Sequence, residues 1–130
     1  MYLRFAIAEI DKDSNRRLGI FHAARNLCEN HTLMSYEEET LLDIRDWFNE
    51  NLEKPTRFTN SKPPYYRKQS KAVSWFKDTA VEHLEKIRQM AKILDSYGIR
   101  VTVFTAERVG YVVYEDEFQI VAEPFRDTVC

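Results

Sequence analysis

The residues best suited to bind another molecule lie in one stretch, residues 54–71, with the sequence KPTRFTNSKPPYYRKQSK. It contains no acidic residue and six basic ones, namely Lys54, Arg57, Lys62, Arg67, Lys68 and Lys71. The whole chain has a formal charge of −2, so the other residues together carry −8. Such a segregation of charge predicts a contact surface for an anionic partner.

Aromatic side chains lie among these cations, as in proteins that bind single-stranded nucleic acid. There, rings stack on bases and cations meet phosphates. The candidate contacts are Arg57, Lys62, Tyr65, Tyr66, Arg67, Lys68 and Lys71. The sequence pI of about 5.9 argues against a dedicated nucleic-acid binder, which usually carries a basic face. Nucleic-acid binding is therefore an alternative prediction, and a solvated loop is the simpler interpretation.

His83 is the best candidate for catalysis, because the pKa of an imidazole can lie near neutrality. In the predicted third helix it falls within the apolar arc, near Phe76, Ile87 and Met90. This position favours a hydrogen-bonded core histidine. The alternative is a general acid or base in a cleft of a small enzyme.

Two other charged groups have simple interpretations. Arg16 and Arg17 come at the predicted start of the first helix, where a helix N-terminus and two arginines together would bind a phosphate. Solubilising charge is the simpler explanation for the pair. Residues 115–117, with the sequence EDE, predict a charged hairpin tip that keeps the sheet soluble and blocks edge pairing.

No linear motif for catalysis, a cofactor or a metal is present. The chain lacks G-x-G-x-x-G, Walker A, G-x-S-x-G and H-E-x-x-H patterns, and it has three glycines in all. Its histidines and cysteines lack metal-ligand spacing, so we predict neither a metal nor a cofactor. Cys28 and Cys130 do not form a disulfide framework, which favours a reducing, cytoplasmic location. No apolar run approaches 18 residues, so no membrane span is predicted.

The predicted elements follow the order β-ααα-βββ. Tyr2 to Ala8 alternate as a strand, and Ser35 with Glu38 forms a capping box before the second helix. Gly98 is placed to end the third helix. The predicted helices cover residues 16–29, a segment from 35 to about 52, and residues 71–97, and the later strands cover 99–105, 109–114 and 118–123.

Length and composition favour one globular domain over residues 1–130, with a basic Pro-rich connection at 54–70. The chain has 130 residues, of which 44% are apolar and 31% charged. The element order predicts an α+β fold with about four mostly antiparallel strands and three helices on one face.

The last strands carry apolar residues on both faces, so one face is expected to meet solvent or a partner. The interface candidates are Tyr111, Val112, Val113, Tyr114 and Val121. We therefore predict a small non-catalytic binding or regulatory module that contacts a protein partner or forms a homodimer. The alternatives are a nucleic-acid-binding accessory protein and a small enzyme.

Overall fold

The computed structural model describes residues 1–12, 14–30, 33–56 and 71–130. These residues form a six-stranded sheet and three helices, and every strand pairing is antiparallel. The predicted α+β class is confirmed, with more strands than expected. The elements are β1 (Tyr2–Ile10), β2 (Arg17–Gly19), α1 (Ile20–Glu29), α2 (Ser35–Asn51), β3 (Val73–Lys77), α3 (Val81–Ser96), β4 (Thr102–Ala106), β5 (Tyr111–Glu115) and β6 (Gln119–Glu123).

Strand β1 lies at the centre of the pairing and has neighbours on both sides. Leu3 pairs with Thr105 of β4 and with Phe76 of β3. Further along, Ala6 pairs with Thr102 of β4 and with Gly19 of β2. Strand β4 therefore runs along one side of β1, while β3 and β2 share its other side at opposite ends. Beyond β3 the sheet continues through β6 to β5.

The predicted third helix over residues 71–97 is wrong in its first part, because Val73–Lys77 is the strand β3. Val73 and Phe76 lie at helical spacing from Ala80, which made one long stripe plausible. In the structure Val73 and Trp75 share one face of the sheet, as period-two alternation requires. The chain then turns, with the Ala80 N–H bonded to the Lys77 carbonyl, before α3 begins at Val81.

The starts of the first two helices also differ from the prediction. Helix α1 begins at Ile20 rather than near residue 16, because Arg17–Gly19 pairs with β1. The expected capping box of α2 is not formed, since Met34 is the N-cap and no side chain caps the helix. Instead, the N–H of Met34 donates to the hydroxyl of Tyr97 over 3.1 Å.

Two hydrophobic clusters cover the two faces of the sheet. The larger one joins the buried residues of all three helices to Leu3, Phe5 and Ile7 of β1 and to Phe76 of β3. The smaller one lies on the opposite face and contains Val73, Trp75, Val109, Ile120, Ala122 and Cys130. Trp75 and Ile120 are register partners, as are Val73 and Ala122. Because both faces are covered there, residues 3–7 of β1 and Val73, Trp75 and Phe76 of β3 are buried.

Candidate functional site

His83 lies inside an aromatic cluster and is only 4% exposed. Its ring stacks on Phe118 with 4.3 Å between centroids, and Trp47 packs against it edge-on at 4.8 Å. Its Nε2 atom lies 2.8 Å from the carbonyl oxygen of Asn51. His83 does not line the cavity described below. Its surroundings are those of the core histidine that the sequence favoured.

The basic segment falls largely outside the described residues, so its role stays a prediction. This applies to Arg57, Lys62, Tyr65, Tyr66, Arg67 and Lys68. Lys54 and Lys71, which lie just outside residues 57–70, are both exposed.

Arg16 and Arg17 do not lie at the start of a helix. The guanidinium of Arg16 donates to two backbone carbonyls of the C-terminal segment, that of Thr128 at 2.9 Å and that of Phe125 at 3.2 Å. The guanidinium of Arg17 lies 5.3 Å from the ring centroid of Phe104. Both side chains thus contact other parts of the fold. The hydrogen bonds of Arg16 join residues 125–128 to the turn before β2.

The interface candidates of the last hairpin divide into exposed and buried residues. Tyr111 is 58% exposed and Val112 is 51% exposed, whereas Val113 and Tyr114 are partly buried. Val121 is fully buried, because its side chain faces inward on β6 and leaves no surface for a partner. The register of β5 against β6 shifts between Val112 and Tyr114, which marks a β-bulge.

The acidic tip of this hairpin is a hydrogen-bonded turn centred on Asp116. Its carboxylate accepts hydrogen bonds from the Tyr114 hydroxyl, the backbone N–H groups of Phe118 and Gln119, and the Gln119 amide. Desolvation raises the pKa of Asp116, but these hydrogen bonds outweigh it and lower the pKa below its ordinary value. The neighbouring Glu115 forms an ion pair with Lys77 at 2.7 Å. The acidic tip therefore stabilises the hairpin.

A cavity that the sequence did not predict opens where β1 and β3 separate. The two strands pair at Tyr2 and Leu3, and beyond these residues they are no longer paired with each other. The space between them has a volume of about 430 Å³ and is bounded also by the start of α1 and the end of α2. Its walls are mainly apolar and aromatic, with side chains that include Phe5, Phe48 and Phe76.

Arg4 lines this cavity and is a charged residue buried in the central strand β1. Its side chain is 6% exposed, although arginine is almost never fully buried unless paired. Nη2 donates to the Arg17 carbonyl, but Nη1 has no hydrogen-bond partner among the described residues. Desolvation lowers the pKa of this guanidinium. A charged residue in the apolar run YLRFAIA was the signal that the sequence offered.

No protein-family model matches the chain, and searches of curated proteins and of solved structures found no similar protein. Among the described residues no group of three or more His, Cys, Asp or Glu is arranged to hold a metal ion. None of the described helices is both long and apolar enough to cross a membrane.

Proposed function

We propose that the protein is a non-catalytic binding module that associates with a second copy of itself through the β5 edge of the sheet. The observation that carries this proposal is the exposure of Tyr111 and Val112 on an edge strand. No strand among the described residues pairs with the outer edge of β5. Its unpaired N–H and C=O groups are a template for adding another strand.

The composition of this edge suits a protein contact. Residues 110–114, with the sequence GYVVY, contain no charge that would oppose strand pairing. The ring of Tyr111 packs edge-on against Phe125 at 4.9 Å, and the Arg108 guanidinium lies 5.3 Å from the Phe125 ring centroid. Tyrosine and arginine are among the residues that carry most binding energy at interfaces. An antiparallel edge is also self-complementary, which favours a two-fold dimer.

The catalytic alternative has little support from the surroundings of His83. A general acid or base must reach the proton that it transfers, directly or through one water. The aromatic rings of Trp47, Phe48 and Phe118 lie within 6 Å of the imidazole centroid, and its Nε2 is bonded to backbone. A binding module accounts better for a histidine held in this way.

The test is the mass of the purified protein in solution over a range of concentrations, measured by sedimentation and by light scattering. Val112→Lys adds a charge on the proposed edge, and Val129→Lys adds the same charge at a valine that is 72% exposed elsewhere. We expect the wild type and Val129→Lys to form dimers and Val112→Lys to be monomeric. A monomeric wild type, or a dimer that Val112→Lys leaves intact, would refute the proposal.

A second assay on the same proteins distinguishes nucleic-acid binding from the proposed self-association. Binding to labelled single- and double-stranded oligonucleotides is measured at two salt concentrations, together with a double variant, Arg67→Glu and Lys68→Glu. Our proposal predicts no salt-sensitive binding. Binding that weakens with salt and disappears in the double variant would instead assign the contact to the basic segment.

A further inference from the structure

We propose that the cavity between β1 and β3 binds a small organic anion, with its charged group held by Arg4 and the N-terminus of α1 and its apolar body between the aromatic walls. The shared chemistry is a carboxylate or phosphate carried on a hydrophobic group. This site lies apart from the β5 edge and does not depend on the proposed self-association.

One nitrogen of the Arg4 guanidinium, Nη1, favours an anionic ligand in the cavity. Arg4 lies in the central strand, is 94% buried and lines the cavity, and its Nη1 has no hydrogen-bond partner among the described residues. A buried donor without an acceptor carries the full cost of its desolvation, and the cost is larger for a charged group. An anion in the cavity would supply that acceptor through a charge-assisted hydrogen bond.

The start of α1 borders the same cavity. Gly19, Ile20, Phe21 and His22 all line it. The helix has ten residues, its N-cap Gly19 offers no side chain to cap it, and its first turn contains no acidic residue. The first N–H groups of a helix have no partner within the helix and carry a partial positive charge. They are therefore available to an anion in the cavity.

The size of the cavity and its apolar walls suit a ligand with a hydrophobic body. Phe5, Ile20, Phe48, Leu52 and Phe76 contribute apolar surface around the space. Its volume of about 430 Å³ lies within the range of small-molecule sites, about 300–1,000 Å³. Inorganic phosphate would leave these walls unoccupied. A ligand with a hydrophobic body gains the burial of that surface as well as the polar contacts at one end.

Charged neighbours limit the charge of the ligand. Asp11 also lines the cavity and accepts a hydrogen bond from the Ser14 hydroxyl at 3.0 Å. Cys130 and, to a smaller extent, Asp11 raise the pKa of Arg4 and so oppose the effect of desolvation. Glu53 and Lys54 lie at the rim with opposite charges. Arg4 and Lys54 are thus balanced in formal charge by Asp11 and Glu53, and a compact ligand with one or two negative charges beside Arg4 fits the site better than a polyanion.

The test uses the full chain and three probes that share one hydrophobic group, namely phenylacetate, phenyl phosphate and the neutral phenylacetamide, with inorganic phosphate as a fourth. Binding is followed by the amide resonances of Ile20, Phe21 and His22 in two-dimensional NMR. We expect at least one organic anion to give saturable shifts there, with phenylacetamide and inorganic phosphate weaker by about tenfold or more. The stronger of the two organic anions identifies the favoured head group.

Two variants at Gly19 test the helix terminus without removing core contacts. An added Cβ at Gly19 meets no atom within 4 Å, and its backbone at φ −69° and ψ 156° suits any residue. Gly19→Asp and Gly19→Asn both cap the helix, but only the first adds a negative charge. We expect Gly19→Asp to bind the anion more weakly than Gly19→Asn does. Equal affinities in the two variants would exclude the helix terminus as part of the site.

Arg4→Met tests the guanidinium, with circular dichroism and the NMR spectrum showing whether the variant folds. We expect the folded variant to lose the preference for the anions over phenylacetamide. Should the variant fail to fold, Arg4→Lys is measured instead, with loss of affinity as the expected result. The proposal is overturned if neither organic anion gives saturable shifts at about 10 mM, if phenylacetamide binds as well, or if the Arg4 variant that folds keeps the wild-type affinity.

Discussion

The Nε2 atom of His83 on α3 lies 2.8 Å from the carbonyl oxygen of Asn51, the last residue of α2. Because a carbonyl only accepts hydrogen bonds, Nε2 carries the hydrogen in this contact. The last carbonyls of a helix have no partner within the helix, so the imidazole satisfies one of them. His83 therefore joins the end of α2 to the first turn of α3.

Replacing His83 by Ala should lower the free energy of unfolding by about 2–4 kcal/mol, since it leaves a cavity and removes this hydrogen bond. Urea unfolding followed by circular dichroism measures the change. His22→Ala is the matched control, because the His22 side chain is exposed, and it should change stability by less than about 0.5 kcal/mol. Equal stabilities of the two variants would contradict a structural role for His83.

The ionised carboxylate of Asp116 should stabilise the folded protein near neutral pH and lose this effect in acid. Its hydrogen bonds from Tyr114, Phe118 and Gln119 lower the pKa of the folded state below the ordinary value of 3.8. A carboxylate with a lowered folded pKa stabilises the protein above its unfolded pKa. That contribution is lost as the pH falls from about 4 through the folded pKa.

Asp116→Asn should therefore cost about 1–3 kcal/mol at pH 7, because an amide cannot accept all of these hydrogen bonds. The difference from wild type should shrink as the pH falls below 3.8, the ordinary value for Asp116. Unfolding free energies measured from pH 7 to strongly acidic pH test this. Glu117→Gln, at the exposed neighbouring acid, serves as control and should leave the pH dependence close to wild type. A deficit in Asp116→Asn that stays constant at every pH would show that the charge is not involved.

The local spacing of apolar residues predicted the class of the fold, but it failed where that spacing fits both a helix and a strand. The α+β class and the final strands follow from alternation and from turn residues near Gly98 and Glu115. Residues 73–80 carry apolar side chains that fit both a helical stripe and a strand. Pairing of Val73 with Ala122 and of Leu3 with Phe76 decides for the strand. Such pairing joins residues far apart in sequence, so local periodicity does not contain it.

The cavity could not be predicted from the sequence either, because it too depends on residues far apart in the chain. Alternation along β1 places Arg4 on the opposite face of the strand from Leu3 and Phe5. Its burial depends on β2, whose three residues Arg17–Gly19 give no periodic signal, and on the separation of β3 from β1. A split between strands is a property of sheet twist and register, and it is visible only once the sheet is assembled.

Tyr97 connects the end of α3 to the start of α2, and its hydroxyl replaces the expected cap. The hydroxyl accepts from the Met34 N–H at 3.1 Å and donates to Glu37 Oε1 at 2.5 Å. Tyr97→Phe removes both bonds, so the melting temperature should fall and the Met34 amide should exchange faster with deuterium. Tyr36→Phe is the control, since Tyr36 is exposed. Unchanged protection of Met34 in Tyr97→Phe would contradict this account of the helix start.

Gly110 holds the start of β5 against the end of β6 in a way that excludes a side chain. Its φ is +129°, and an added Cβ would lie 2.1 Å from the Glu123 carbonyl oxygen and 2.8 Å from its carbon. Both atoms belong to backbone, so rotation of a side chain cannot relieve the clash. The backbone at residue 110 must instead move away from the backbone of Glu123.

Gly110→Ala should therefore destabilise the protein by more than about 3 kcal/mol, from the clash and the backbone strain together. Gly98→Ala separates the two causes. Gly98 also has positive φ, at +80°, but an added Cβ there meets nothing within 4 Å. Gly98→Ala should therefore lower the free energy of unfolding only by the cost of the backbone strain, about 1–2 kcal/mol. Thermal and urea unfolding of both variants give the comparison. If Gly98→Ala were as destabilising as Gly110→Ala, close approach of β5 to Glu123 would not be what requires glycine at residue 110.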